Sequence, residues 1–335
     1  MRAVVSRAPG ELTVGEVPEP KPIQGQAVLK VLACGICGSD LHLHQHKLMP
    51  AGAIMGHEFC GEVVEAAGTL KTGERVCALP NLTCGTCERC RSGLGAYCQA
   101  QTPIGLGAPN GAFAEYVAIA AHEALRVPSG VSTDLAALTE PLAVGVHALN
   151  ASRLRRGECC LVIGAGPIGL AIALWARHFG AREVIVSERA AGRRALAEKL
   201  GATRVVDPVR EDLARVLEGL APGGPDIVFE AVGAPGLIEE CVNRVRFRGR
   251  VVVAGACVGA DSLTPITGIM KETTLQFVLA YEKDDFTYTL DMLAQERIDP
   301  SALITERVAL EAVPGAFASL ATPQGQGKVL ACPAL

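Results

Sequence analysis

Short apolar runs punctuated by Gly and Pro dominate the first part of the chain. Segments 27–32, 61–64, 75–78 and 114–119 read as strands. Their spacing predicts a small barrel-like β unit over residues 1 to about 148. Beyond about 149 the pattern changes. Apolar runs at 160–163, 183–187, 204–206, 226–229, 250–254 and 275–279 now alternate with helix-like stretches such as 190–200 and 211–218. That alternation predicts right-handed βαβ crossovers and a parallel sheet over 149–285. The last stretch has a helix-like segment at 287–295 and a strand-like run at 328–331. It is too short to fold alone, so residues 286–335 are expected to return to the first unit. The chain reads as α/β, in two domains. No internal repeat is visible.

One segment imitates a membrane span. Residues 159–176 read CCLVIGAGPIGLAIALWA without a charge. Its interior argues otherwise: an apolar run at 159–163 suits a strand buried on both faces, and Gly164 to Pro167 is a turn. From Pro167 onward the pattern suits a buried helix with Pro at its start.

Composition narrows the class. The 335 residues are 49% hydrophobic and 20% charged, enough apolar material for packed cores. The formal net charge is −4 and aromatics make up 4%, so neither a basic field nor a stacking platform for nucleic acid is present. The first residues lack the long apolar core of a secretory signal. A cytoplasmic protein with reduced thiols is expected, and the odd count of 13 cysteines fits poorly with a closed disulfide set.

Gly164-Ala165-Gly166-Pro167-Ile168-Gly169 matches G-x-G-x-x-G between a predicted strand and a predicted helix. Gly164 allows the tight turn, Gly166 lets the backbone approach a pyrophosphate, and Gly169 lets the helix pack on the sheet. The helix N-terminus then faces the phosphates. Glu188, nineteen residues after Gly169, sits where a ribose-binding acid belongs. Such an acid favours NAD over NADP. Arg189, Arg193 and Arg194 pull the other way, since a guanidinium can receive a 2′-phosphate.

Cys84, Cys87, Cys90 and Cys98 form C-x2-C-x2-C-x7-C in a polar stretch. Four thiolates this close suit one tetrahedral structural zinc, with a metal lobe at about 81–99. Spacing alone leaves an iron–sulfur cluster open. Separately, Cys34-Gly35-Ile36-Cys37-Gly38-Ser39-Asp40-Leu41-His42 precedes Gly56-His57-Glu58, and Glu140-Pro141 lies just before the nucleotide-binding stretch. Cys, His and Glu are the donors used by catalytic zinc.

Taken in order, GICGSDLH, GHE, the four-cysteine lobe, EPLAVGVHA and GAGPIG make the whole chain resemble the zinc-containing medium-chain dehydrogenase/reductase family, of the alcohol, sorbitol and threonine dehydrogenase kind. The resemblance implies a chaperonin-10-like catalytic domain at 1–148 with 286–335. It also implies a Rossmann coenzyme domain at 149–285, with the active site in the cleft. Residue by residue, Cys37 and His57 match catalytic zinc ligands, and Glu58 matches an adjacent acid that is a ligand or a near neighbour. Glu140 takes the third-ligand position, where the best-known alcohol dehydrogenases carry Cys; Glu there resembles the polyol branch. Ser39 and His42 match the proton relay and Asp40 the acid that orients the ligand His. Cys34 matches no ligand position and is expected to be buried.

The implied reaction moves a hydride between a secondary alcohol or polyol and a nicotinamide cofactor, NAD or NADP, with two zinc ions per chain. Competing readings are a zinc-independent quinone or enone reductase on the same fold and a nucleotide- and zinc-binding redox sensor without turnover. A charge count sharpens the metal question. The Cys37 thiolate plus one carboxylate neutralises Zn²⁺, and a second carboxylate makes the centre negative. One glutamate is therefore expected to bind tightly at a time, the other through water. The family's sheet-edge strand, here 275–279, commonly pairs across a dimer, so a homodimer or homotetramer is expected. The partner is a small-molecule alcohol or carbonyl compound, with no nucleic acid and no membrane. His42, His44 and His46 alternate with other residues and could face one way on an extended segment; this allows a metal-binding strip, but a solvated or substrate-facing loop is the favoured reading. Cys159 and Cys160 read as core. Cys60, Cys77, Cys241, Cys257 and Cys332 also sit in apolar contexts.

Overall fold

The computed structural model describes residues 1–322 and 324–335. Six parallel strands form one sheet in the spatial order Arg204–Val206, Glu183–Ser187, Cys159–Ile163, Ile227–Glu230, Arg250–Val253 and Thr274–Phe277. Numbered along the chain, that order is 3-2-1-4-5-6, a doubly wound sheet whose direction reverses beside Cys159–Ile163. All five residues of that strand are buried. Each fully buried Leu, Val or Ile side chain contributes about 1.5–3 kcal/mol. The uncharged segment 159–176 is thus a strand and the helix Pro167–His178, joined by the glycine turn. Among the described residues no helix is long and apolar enough to cross a membrane.

A second sheet of seven strands is built on Gln26–Gly35. It pairs antiparallel with Glu58–Glu65, with Tyr116–Ala120 and with Lys328–Ala331. Arg75–Ala78 and Ala124–Arg126 extend one side, and Ile304–Val308 lies parallel to Lys328–Ala331 at the other. The last two strands of the chain therefore join the sheet built on Gln26–Gly35. A hairpin, Arg2–Ala8 with Glu11–Glu16, lies outside that sheet; the apolar pattern did not signal it.

The helix Thr139–Ser152 packs on Pro167–His178, and the buried Trp175 donates its ring N–H to the Leu142 carbonyl at 2.9 Å. Glu140 lies in the first turn of the former helix, and the glycine turn opens the latter. One packed pair of helices thereby fixes both sides of the cleft.

The extended reading of the histidine segment is corrected. Residues 38–45 are not extended but form the helix Gly38–Gln45, with Cys37 at its N-cap and Asp40 in its first turn. A helical rotation of about 100° per residue sends alternate side chains to different faces. His42 and His46 sit together, ring centroids 6.3 Å apart, while His44 turns to Phe317 at 5.6 Å. Cys34, Cys60, Cys77, Cys159, Cys160, Cys241 and Cys332 are buried, as expected; Cys257 is only half-buried.

Candidate active site and metal centres

The short helix Glu88–Arg91 begins at Cys87 and places Cys90 in its own turn, while Gly95–Tyr97 brings Cys98 back. The sulfurs of Cys84, Cys87, Cys90 and Cys98 all lie within 4.8 Å of one another. Backbone N–H groups of Thr86 and Cys87 push the Cys84 thiol down to about 5; Cys90, crowded by burial and by neighbouring sulfurs, is pushed up to about 12. Four facing sulfurs, one already favouring thiolate, form a donor set that fits a tetrahedral zinc ion.

The second cluster assembles from two parts of the large sheet. Cys37 follows the strand Gln26–Gly35, and His57-Glu58 opens the strand paired with it. The donor atoms of Cys37, His57 and Glu58 lie within 4.8 Å of one another. Asp40 joins two of them: Oδ2 accepts the Cys37 backbone N–H at 3.0 Å, and Oδ1 lies 3.4 Å from His57 Nδ1. Burial works against the His57 imidazolium, but Asp40 and then Cys37 outweigh it and hold its pKa well above the usual value. Ser39 Oγ is 3.3 Å from the other ring nitrogen, Nε2. Gly35 makes room for the Glu58 carboxylate, since a Cβ there would collide with Oε2. Glu58 Oε2 is buried without a hydrogen-bond partner. An orphaned carboxylate oxygen beside a thiol and an imidazole fits a divalent cation.

Glu140 lies outside that three-residue group but faces the same space. Burial first, and the Glu58 carboxylate second, push its carboxyl up to about 7. Tyr281 is buried beside it, with a hydroxyl that has no hydrogen-bond partner. Lys328 was not signalled as a site residue. It is 1% exposed, donates from Nζ to Glu58 Oε1 at 2.6 Å and to the Ile36 carbonyl at 3.1 Å. A lone lysine opening the apolar run KVLA was its only trace in the sequence. It also changes the charge count. Its ammonium offsets one of the negative charges gathered around the proposed centre, where the buried Asp40 carboxylate stands beside the two glutamates.

The nucleotide loop lies at the reversal of the parallel sheet. Gly164 has φ +96°, and a Cβ on Gly169 would collide with the Gly164 carbonyl oxygen. Gly166 faces open space, with nothing within 4 Å of a Cβ placed there. Pro167 and Ile168 form the first turn of the helix. Glu188 Oε2 accepts from Ala165 N and Oε1 from Ala190 N, both at 2.8 Å, which pins the carboxylate at the rim. Arg194 is engaged by Asp207 at 3.0 Å. Arg193 donates from Nε to the Gln326 carbonyl at 3.0 Å, and Arg189 makes the rim beside Glu188. A single cavity of about 1600 Å³ runs from Cys37, Ser39, His57 and Glu140 to Gly166 and Glu188. It joins the proposed metal centre to the proposed dinucleotide site.

A doubly wound sheet, a glycine turn at its reversal and a Cys-His-Glu cluster across one cleft define a nucleotide-dependent dehydrogenase. Residues 23–129 match the alcohol dehydrogenase GroES-like domain, and residues 167–295 match the zinc-binding dehydrogenase domain. The chain is 33% identical over 341 residues to L-threonine 3-dehydrogenase of Cronobacter sakazakii, covering 98% of this chain and 99% of that one. Among solved structures it is similar to 2R,3R-butanediol dehydrogenase from Bacillus subtilis, with TM-score 0.88, 28% identity and 99% of each chain covered. A Sinorhizobium meliloti 1021 protein whose crystal structure holds NADP matches with TM-score 0.90 and 32% identity, again over 99% of each chain. The chain belongs to the zinc-containing medium-chain dehydrogenase/reductase family. It is a zinc-dependent oxidoreductase of the alcohol dehydrogenase class.

Proposed function

We propose that Cys37, His57 and Glu58, with Glu140 opposite, hold the catalytic zinc, and that the chain interconverts a secondary alcohol or polyol with its carbonyl compound. Supporting this above all is the meeting of the three donor atoms within 4.8 Å, with Ser39 Oγ 3.3 Å from His57. When bound, zinc supplies a Lewis acid that lowers the pKa of a substrate hydroxyl, and the nicotinamide supplies the hydride acceptor. Ser39 accepts the hydroxyl proton. His42, three residues on along the same helix, would pass it on to solvent. Asp40 holds the His57 ring and the Cys37 backbone in register. Cys84, Cys87, Cys90 and Cys98 hold the second zinc in a structural lobe.

The unit 149–285 carries the cofactor, and 1–148 with 286–335 carries the chemistry. NAD is the preferred cofactor, because the pinned Glu188 carboxylate stands where a 2′-phosphate would be repelled and Arg194 is already committed to Asp207. The protein is cytoplasmic and assembles as a homodimer or homotetramer. The strand Thr274–Phe277 is an open sheet edge, and beside it Ile266, Ile269, Met270, Phe277 and Leu279 are exposed. Light scattering that returns a monomer refutes the assembly.

Absorbance of the reduced nicotinamide tests the activity across secondary alcohols, polyols and primary alcohols, each with NAD and NADP. Turnover of a subset, faster with NAD, is expected. Cys37→Ser should abolish it while cofactor binding persists. A fully active Cys37→Ser enzyme refutes the metal assignment.

A further inference from the structure

We propose that this cleft selects an uncharged alcohol bearing a second hydroxyl, and that Gln101 and Asn81 are the residues that recognise it; the inference rests on the hydride-transfer reading above. The cavity wall contributed by residues 37–106 carries no Lys, Arg, Asp or Glu among the described residues. Its apolar part comes from Leu41, Leu79, Pro80 and Leu106. The cations that reach the cavity lie elsewhere or are committed, His57 to Asp40 at 3.4 Å. Arg189 and Arg193 flank Glu188, Arg244 pairs with Glu240 at 2.8 Å, and Lys328 is buried on Glu58. A substrate carboxylate or phosphate held against this wall would lose its water and gain no counter-ion.

Polar recognition in the wall comes instead from carboxamides. Asn81 and Leu82 pair antiparallel with Pro103 and Thr102. Side chains alternate between the faces of such a ribbon, so Asn81, Pro103 and Gln101 share one face. Those three line the cavity, whereas Leu82 and Thr102 do not. Gln101 Oε1 is buried and accepts no hydrogen bond from the protein. An unmet acceptor in an uncharged wall suits the O–H of a second hydroxyl, whose own oxygen can accept from a carboxamide N–H. A wall of this kind rejects an analogue lacking that hydroxyl, because the carboxamide is then left unpaired.

The test uses the zinc-loaded enzyme with saturating NAD. Values of kcat/KM are compared for 2,3-butanediol and xylitol, for L-threonine and 3-hydroxybutyrate, and for 2-butanol. The uncharged diol or polyol is expected to exceed both charged compounds by about 100-fold or more. Gln101→Leu and Asn81→Leu are each expected to lower the ratio of 2,3-butanediol to 2-butanol by about 10- to 100-fold. Equilibrium binding of 2,3-butanediol to the enzyme–NADH complex, read by nicotinamide fluorescence, should weaken by a similar factor. L-Threonine or 3-hydroxybutyrate turning over as well as the diols overturns this assignment and leaves hydride transfer intact. So does a diol-to-monoalcohol ratio that neither variant moves. Turnover of none of the five compounds overturns both readings.

Discussion

Replacing Lys328 tests how the buried charges of the site are balanced. Its ammonium is 2.6 Å from Glu58 Oε1, with the two side chains 1% and 0% exposed. At that separation the attraction is about 6 kcal/mol with an effective dielectric of about 20. Burial alone would lower the lysine's pKa, yet Glu58 and Cys37 hold it above its usual value, which keeps the ammonium charged. Lys328→Met keeps most of the volume and removes the charge. The Glu58 carboxylate is then left in a dry environment without its ammonium. Breaking one side of a buried pair in this way costs about 3–5 kcal/mol. Lys328→Met/Glu58→Gln removes both charges and should recover most of that loss. Hydrogen exchange of metal-free protein is the suitable assay, because a two-unit chain need not unfold in one step. Amides of the strands Gln26–Gly35, Glu58–Glu65 and Lys328–Ala331 should lose two to four powers of ten in protection, about the same free energy. The parallel sheet should be little affected. A single variant that loses less than about 1 kcal/mol, or a double variant no better than the single, refutes the balance described.

Other expectations are more direct. Ser39→Ala should lower kcat by about 10²- to 10⁴-fold with cofactor affinity retained, read by steady-state kinetics and NADH fluorescence. Cys87→Ser should reduce the zinc content measured by elemental analysis from two ions per chain to one, and should lower the melting temperature. Glycine variants separate site from scaffold. Gly166→Val points into open space and should weaken NAD binding at least about 10-fold at little cost in stability. Gly169→Val meets the Gly164 carbonyl and should destabilise the fold itself, as seen by thermal denaturation. Glu188→Ala should raise KM for NAD more than for NADP, since it frees two backbone N–H groups and removes a charge repelling the 2′-phosphate.

Much of this architecture was legible because its determinants are local. A strand buried on both faces must be continuously apolar, so the run at 160–163 falls within the observed strand Cys159–Ile163, whose five residues are all buried. The glycine turn and the cysteine lobe are equally local. Both depend on spacings of a few residues, and the structure brings each set together where the spacing implied. The histidines of 42–46 show how a local pattern can mislead. Alternation suits a strand, but Asp40 accepting the Cys37 N–H starts a helix, and that first turn imposes helical periodicity on His42, His44 and their neighbours.

The rest was hidden for a different reason. Lys328 reaches Glu58 across 270 positions of sequence, and Tyr281 reaches Glu140 only because the helix Thr139–Ser152 packs where it does. Neither carries a motif, and a lysine at the head of an apolar strand reads as a surface residue until the strand is paired in the middle of a sheet. Its burial is then a consequence of the topology, because Lys328–Ala331 lies between Gln26–Gly35 and Ile304–Val308. The chain end thus places an ammonium against one of the two glutamates of the proposed metal centre. Sequence spacing could name the anions of the proposed centre, but only the paired strands reveal the cation beside them.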